Sequence, residues 1–164
     1  MYRTGLGYDI HRFSDGRKLI LGGVEIPHSQ GLDGHSDADV LTHALCDALL
    51  GALAKGDIGE HFPNTDKRCK NISSLVLLEN VMKLVEKDGY SVENIDVVVL
   101  AEAPSIAPHK PAMKAHLAAR LKIGEDCVNI KATTNETLGA VGRGEGIAAF
   151  ATVLLCKSQA PNYK

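Results

Sequence analysis

The sequence predicts an α+β domain in which one mixed β-sheet carries helices against one face. Three observations lead there. Two long segments, 38–54 and 72–88, repeat apolar residues at helical spacing; Ile95 to Ala101 is a continuous apolar run rich in β-branched residues; and strand-like segments open and close the chain. The resulting order is β, ββ, α, α, β, α, β, β.

Residues 2–13 alternate loosely, as a strand does. Lys18 to Leu21, the Gly22-Gly23 pair and Val24 to Ile26 read as a hairpin with a glycine turn. Residues 27–37, rich in Gly, Pro, Ser and Asp, form a loop. Ser36 is the expected N-cap, with Asp39 three positions on, of a helix that carries Val40, Leu41, Ala44, Leu45, Ala48 and Leu49 on its apolar side. Residues 55–71 lack periodicity and form a long loop, a kind that often serves function. A second helix over 72–88 ends at Gly89. Residues 95–101 then read as a strand buried on both faces. Pro104, Pro108 and Pro111 interrupt the chain before a short helix at roughly 111–121. Val128 to Thr133 is a further strand leading into a turn at Thr133 to Glu136, and 146–156 close the chain as an apolar strand. With no repeat or linker, residues 1–157 form one domain and 158–164 a tail.

Composition narrows the function classes. The 164 residues are 45% hydrophobic and 23% charged, ordinary for a protein with a real core. Aromatics at 4%, without Trp, leave no stacking platform for single-stranded nucleic acid, and a net charge of −2 argues against a general phosphate-backbone binder. Cys46, Cys69, Cys127 and Cys156 contain no C-x-x-C pair, which suits a reducing compartment; Cys46 and Cys156 lie in apolar stretches and read as core residues. Neither a leader pattern nor an apolar run of about 20 residues is present. The expectation is a soluble, cytoplasmic protein with no nucleic-acid or membrane partner.

Asp9 and His11 are two positions apart on a strand, so both project from one face. With His43 from the first helix they would make an Asp/His/His set with one coordination position open, the pattern of a catalytic zinc rather than a structural one. Asp39, His43 and Asp47 share a helical stripe at i, i+4, i+8, which reads either as a solvent face or as a line facing a cleft; Asp37 or Asp39 would orient the His43 imidazole. His35-Ser36 at the helix start offers N–H groups, a hydroxyl and an imidazole to an anion, or is a plain cap. Thr133 to Glu136 is a polar turn at a sheet edge. Gly139 to Gly146 holds four glycines within eight residues, allowing close approach of a ligand or a neighbouring subunit. Lys67 to Lys70 reads as a solvated loop end.

These pieces occur together in one family. Gly7-Tyr-Asp-Ile-His, Leu21-Gly-Gly-Val-Glu-Ile-Pro, Gly34-His-Ser-Asp-Ala-Asp-Val, Gly56-Asp-Ile-Gly, Phe62-Pro-Asn-Thr-Asp, Lys131-Ala-Thr-Thr-Asn-Glu and Gly142-Arg-Gly-Glu-Gly follow in order. The chain resembles the 2-C-methyl-D-erythritol 2,4-cyclodiphosphate synthases of the non-mevalonate isoprenoid pathway from about residue 2 to 156. The resemblance implies a phosphorus–oxygen lyase that converts 4-diphosphocytidyl-2-C-methyl-D-erythritol 2-phosphate to the cyclic diphosphate and CMP. It further implies Asp9, His11 and His43 as zinc ligands and Glu136 as holder of Mg²⁺ or Mn²⁺. His35 and Thr134 would stabilise the transition state, and Ser36 would contact phosphate, with Asp9, Ile10 and His11 also near the substrate. The sugar portions would meet Asp57, Ile58 and Gly59, with Phe62, Pro63, Asn64, Thr65 and Asp66. The cytidine would lie against Ala101, Glu102, Ala103, Pro104, Ser105, Ile106 and Ala107, together with Ala132, Thr133 and Thr134, with Asn135 and Glu136 also near the substrate. The implied fold is that of the small chorismate mutases, assembled as a homotrimer whose axial cavity, bordered by Ala140 and Arg143, takes an isoprenoid diphosphate. Ser105 stands where many members carry Lys, and Ala140 where Phe is frequent. Two other readings of the residues are a zinc-dependent phosphoester hydrolase and a non-catalytic trimeric isoprenoid-diphosphate-binding protein.

Overall fold

The computed structural model describes residues 1–63 and 72–157. Its elements run β1 (Tyr2–Ser14), β2 (Leu19–Leu21), β3 (Val24–Ile26), β4 (Gly31–Leu32), α1 (Val40–Ala52), α2 (Ile58–His61), α3 (Ser74–Lys87), β5 (Tyr90–Leu100), α4 (Lys110–Leu121), β6 (Val128–Thr133), α5 (Gly139–Gly142) and β7 (Gly146–Lys157). A mixed five-stranded sheet has the order β4-β1-β7-β5-β6, in which only β5 and β6 are parallel, joined across α4. β2 and β3 form a separate hairpin. The expected α+β class is the observed one.

The first helix lies unusually close to the sheet. Odd positions of β1 turn toward it, and two of them are Gly5 and Gly7. A Cβ on Gly7 would fall 2.7 Å from the Ala48 nitrogen and closer still to the Ala44 carbonyl oxygen; Gly5 meets the Ala48 carbonyl in the same way one helical turn on. Without side chains there, backbone packs on backbone. α1 is consequently buried nearly all round, through Leu41, Leu45, Leu49 and their neighbours; His43 and Asp47 are partly buried and only Gly51 is exposed. α3 adds Leu78, Val81 and Val85 to the same core, and α4 adds Met113 and Leu117.

Several boundaries differ from those read in the sequence, each for a local reason. The first helix begins at Val40 rather than residue 38, because Ala38 has φ 57 and its left-handed backbone breaks the helical run. Asp39, not Ser36, is therefore the N-cap, its carboxylate accepting from Thr42 N at 3.0 Å. The loop over 27–37 contains the two-residue β4, paired to the end of β1, and the stretch from 55 contains the single turn α2, capped by Asp57. β5 starts at Tyr90, earlier than expected, and α5 is a short helix inside the glycine-rich segment. β5 is not buried on both faces of this chain: Ile95, Val97 and Val99 are covered by helices, while Asp96, Val98 and Leu100 are only half-buried. Cys46 is a core residue as expected, whereas Cys156 is only partly buried. Residues 64–71, including Cys69 and Lys67 to Lys70, and the expected tail lie outside the described residues. No helix among the described residues is long and apolar enough to cross a membrane.

Candidate metal centre and its cleft

Alternation along β1 turns Asp9 and His11 to the helix side, and the glycine contact brings His43 of α1 against them. Asp9 Oδ2 lies 2.9 Å from His11 Nε2 and 3.1 Å from His43 Nδ1. The two imidazole nitrogens are 3.2 Å apart. A tetrahedral zinc with bonds of about 2.0–2.1 Å requires ligand atoms roughly 3.3 Å from one another, so this triangle fits such an ion with almost no movement. Among the described residues these three form the metal-capable cluster.

The far nitrogen of each imidazole is already engaged. His11 Nδ1 donates to the Asp33 carbonyl at 2.5 Å, and that carbonyl is held by the Asp33 N to Arg12 O bond that extends the β1–β4 pairing. His43 Nε2 lies 2.9 Å from Ser74 Oγ and 3.0 Å from Ser36 Oγ. Protons on these outer nitrogens leave the inner lone pairs pointing at one spot, as metal ligation needs. Burial opposes ionisation of Asp9, but hydrogen bonds and charge from both histidines outweigh it and hold its carboxyl well below the usual carboxylate range. Burial likewise disfavours charged His11, and the Asp9 contact reverses that, raising its pKa.

The triad opens onto a cleft of about 530 Å³ that is also lined by His35, Ser36, Asp47, Ile58, Gly59 and Phe62. Ser36 and His35 thus reach the site, but not from a helix N-terminus, since α1 starts four residues later; Ser36 Oγ accepts from Ala38 N at 3.1 Å instead. Of the anticipated stripe only His43 and Asp47 face the cleft. Asp39 is fully buried and turned away, accepting from Gly22 N, Gly23 N and the Thr42 hydroxyl, so it does not orient His43. Asp37 does so indirectly, through Ser74. Asp47 accepts from Ile58 N at 2.7 Å, tying α2 to α1; burial raises its pKa. Asp57 caps α2 through Glu60 N at 3.0 Å, and Pro63 follows that turn without lining the cleft. Asn64, Thr65 and Asp66 lie outside the described residues.

The remaining candidates form a second cluster. Leu100 pairs with Thr133, so the segment Ala101 to Ala107 leaves the sheet beside Ala132 to Glu136. Glu102 ties the two together, its Oε1 accepting from Asn135 N at 2.8 Å. Thr134 Oγ1 donates to Glu136 Oε1 at 3.0 Å. Glu136 and Thr137 both have positive φ, 51 and 62, a strained pair of the sort found at ligand clamps. Asp9, Ala149, Val99 and Ala132 occupy one row across the sheet. Three strand spacings separate the ends of that row by roughly 14 Å. Neither Thr134 nor Glu136 is among the residues that line the cleft at the triad. Ala140 and Ile10 border another cleft of about 570 Å³, whereas Arg143 is paired with Glu145 at 2.5 Å.

Ser74, Asp33 and Leu77 were not legible as site residues. Asp33 acts through its backbone carbonyl, which no residue type encodes, and Ser74 reads in sequence as one of two serines opening a helix.

Residues 2–156 match the model of the YgbB family. The chain is 56% identical over 158 residues to a 2-C-methyl-D-erythritol 2,4-cyclodiphosphate synthase of Desulfosudis oleivorans, covering 96% of this chain and 94% of that one. It is 58% identical over 153 residues to the protein of the same description in Geobacter sulfurreducens, covering 93% and 98%. Among solved structures it resembles the bifunctional IspDF from Campylobacter jejuni with a TM-score of 0.93 at 43% identity, over 97% of this chain but 43% of that longer one. It also resembles the CDP complex of Plasmodium falciparum IspF, with a TM-score of 0.84 at 33% identity over 96% and 97% of the two chains.

Proposed function

The chain belongs to the YgbB family, and from that premise we propose that it converts 4-diphosphocytidyl-2-C-methyl-D-erythritol 2-phosphate to 2-C-methyl-D-erythritol 2,4-cyclodiphosphate with release of CMP. The observation that carries this reading is the Asp9, His11, His43 triangle at metal-ligand spacing, opening on a cleft, in a chain similar along nearly its whole length to synthases of that activity. The reaction is a phosphorus–oxygen lyase step. An oxygen of the 2-phosphate forms a bond to the β-phosphorus, the bond from that phosphorus to the bridging oxygen breaks, and CMP leaves with the electron pair as an eight-membered ring closes. Since the nucleophile is already an anion, no side chain has to attack or deprotonate it; the protein's task is to fold the substrate and offset charge.

Zinc held by Asp9, His11 and His43, with Mg²⁺ or Mn²⁺ held by Glu136, would supply Lewis acidity against the diphosphate. His35 and the Ser36 hydroxyl donate to phosphate oxygens from the rim of the cleft, and the Thr134 hydroxyl would do so from the second cluster once its proton turns from Glu136. Ile58, Gly59 and Phe62 cover the sugar, with Asp57 holding their turn and Asp47 anchoring Ile58. The segments 101–107 and 132–136 take the cytidine, in keeping with the CDP found with Plasmodium falciparum IspF.

The two half-sites would meet if another copy supplied the second. A homotrimer with a chorismate-mutase-like arrangement is supported by the helix-free face of the sheet. There Leu6, Tyr8, Ile10 and Phe150 are 65%, 47%, 45% and 38% exposed in the single chain, and the tilted rings of Tyr8 and Phe150 lie 4.6 Å apart between centroids. Exposed apolar side chains gathered on one face mark an interaction surface. Its cleft beside Ala140 would be the place for an isoprenoid diphosphate. A hydrolase or a purely binding protein is not favoured by relatives at this identity. Incubation with the diphosphocytidyl substrate, Zn²⁺ and Mg²⁺, followed by phosphorus NMR, tests the reading. CMP with a cyclic diphosphate is expected; a linear phosphate or no turnover would overturn it.

A further inference from the structure

We infer that Ser74, locked by Asp37, is the positioning residue that aims His43 at the metal, and that Ser36, equally close to the same nitrogen, is left free for the substrate. The inference rests on the metal-centre reading above and assigns the two hydroxyls around His43 different work.

The assignment follows from counting protons. His43 Nδ1 faces Asp9 Oδ2 and His11 Nε2 at 3.1 and 3.2 Å, so as a ligand it must present a lone pair there. A neutral imidazole then carries its single proton on Nε2. Two hydroxyl oxygens lie within reach of that proton, Ser74 at 2.9 Å and Ser36 at 3.0 Å, and they are 3.4 Å from each other. Distance does not separate them, but their other partners do. Ser74 is fully buried, and both oxygens of Asp37 are bound to it: Oδ1 accepts the Ser74 hydroxyl proton and Oδ2 accepts Ser74 N at 3.0 Å. Asp37 is itself held by its own N–H to the Ile72 carbonyl at 3.1 Å. With its proton committed to a carboxylate, the Ser74 oxygen has lone pairs free and becomes a stronger acceptor for His43. The line carboxylate, hydroxyl, imidazole, metal is thus polarised in one direction, as a carboxylate bound straight to a metal-ligating histidine would be.

Ser36 lacks this arrangement. Its oxygen accepts from Ala38 N at 3.1 Å, and with His43 Nε2 protonated its hydroxyl proton has, among the described residues, no acceptor nearer than the 3.4 Å Ser74 oxygen. The residue lines the cleft, so that proton is available to a phosphate oxygen.

Zinc affinity, read by competition against a chromophoric chelator, and the visible spectrum of the Co²⁺-loaded protein test this directly. Ser74→Ala keeps the backbone N–H to Asp37 and deletes only the hydroxyl. It is expected to weaken zinc binding about 10- to 100-fold and to shift the Co²⁺ bands, with kcat restored by excess zinc. Ser36→Ala should change zinc affinity less than about three-fold, leave the Co²⁺ bands in place and raise KM. Asp37→Asn, which retains one acceptor but no charge, should fall between wild type and Ser74→Ala; it carries the test if Ser74→Ala fails to fold. Zinc affinity within about three-fold of wild type in folded Ser74→Ala, or equal weakening by Ser36→Ala, would overturn the assignment. Wild-type zinc content in His43→Ala would instead overturn the metal centre itself.

Discussion

Replacing Gly7 by Ala should separate the two halves of the metal centre without touching a ligand. Gly7 lies two residues before Asp9, on the same face of β1, and packs on the turn of α1 that carries His43 and Ala44. The added Cβ would sit 2.7 Å from Ala48 N, where real contacts are rarely under 3.4 Å, so helix and strand must part by at least about 0.7 Å. The Ala44 carbonyl, nearer still, demands more. Because α1 is buried on nearly every side, that displacement spreads into the core. Overpacking of this kind costs about 1–3 kcal/mol, and backbone on backbone, with no rotamer to yield, belongs at or above the upper end. The ligand edges of 3.1 and 3.2 Å from His43 would open by a similar amount, beyond what zinc bonds tolerate. Urea unfolding should therefore show a loss of about 3 kcal/mol, and dialysed protein should hold less than half its zinc. Gly51→Ala supplies the contrast: on the same helix, its Cβ would meet nothing nearer than 4.0 Å, and it should stabilise by about 0.5 kcal/mol. A Gly7→Ala protein with unchanged stability and full zinc would refute the close-packed origin of the site.

Asp39→Ala should cost at least about 3 kcal/mol in chemical unfolding, since it strands the buried N–H groups of Gly22, Gly23 and Thr42 and the Thr42 hydroxyl; wild-type stability would show those donors find other partners. Glu136→Gln should raise the Mg²⁺ concentration needed for half-maximal CMP release roughly ten-fold while zinc content stays constant, and an unchanged Mg²⁺ titration would exclude that role. Asp47 has a raised pKa, chiefly from burial, so its favourable contribution is complete below the ordinary carboxylate range and is lost as pH rises through the raised value. Asp47→Asn keeps an acceptor for Ile58 N and should therefore gain stability relative to wild type at pH 7–8, the difference vanishing toward pH 4. Thermal melts that diverge in the opposite sense would show that Asp47 is stabilised as the anion.

The class of fold and the metal-capable triad Asp9, His11 and His43 were readable in the sequence because both depend on local regularities. Alternation on one strand is enough to place Asp9 and His11 on one face, and helical spacing is enough to put His43 on a helix that packs inward. Where those regularities break, so does the inference. The left-handed backbone at Ala38 ends the periodic pattern two residues short, and this alone moves Asp39 out of the stripe it would share with His43 and Asp47 and makes it a cap. Asp37 and Asp39 are indistinguishable by spacing, yet one reaches the site through Ser74 and the other turns to the Gly22-Gly23 turn.

Amino-acid order alone therefore settled which residue types could bind a metal and which elements would present them, since periodicity is a property of the chain itself. Contacts between segments distant in sequence settled the rest. Pairing of β4 with the end of β1 placed the Asp33 carbonyl behind His11, and packing of α3 on α1 placed Ser74 behind His43. The strand order β1-β7-β5-β6 set Ala132, at the end of β6, three strands from Asp9. A hydrogen bond is decided by tenths of an ångström and by direction, and both come from how the helices and sheet close on one another.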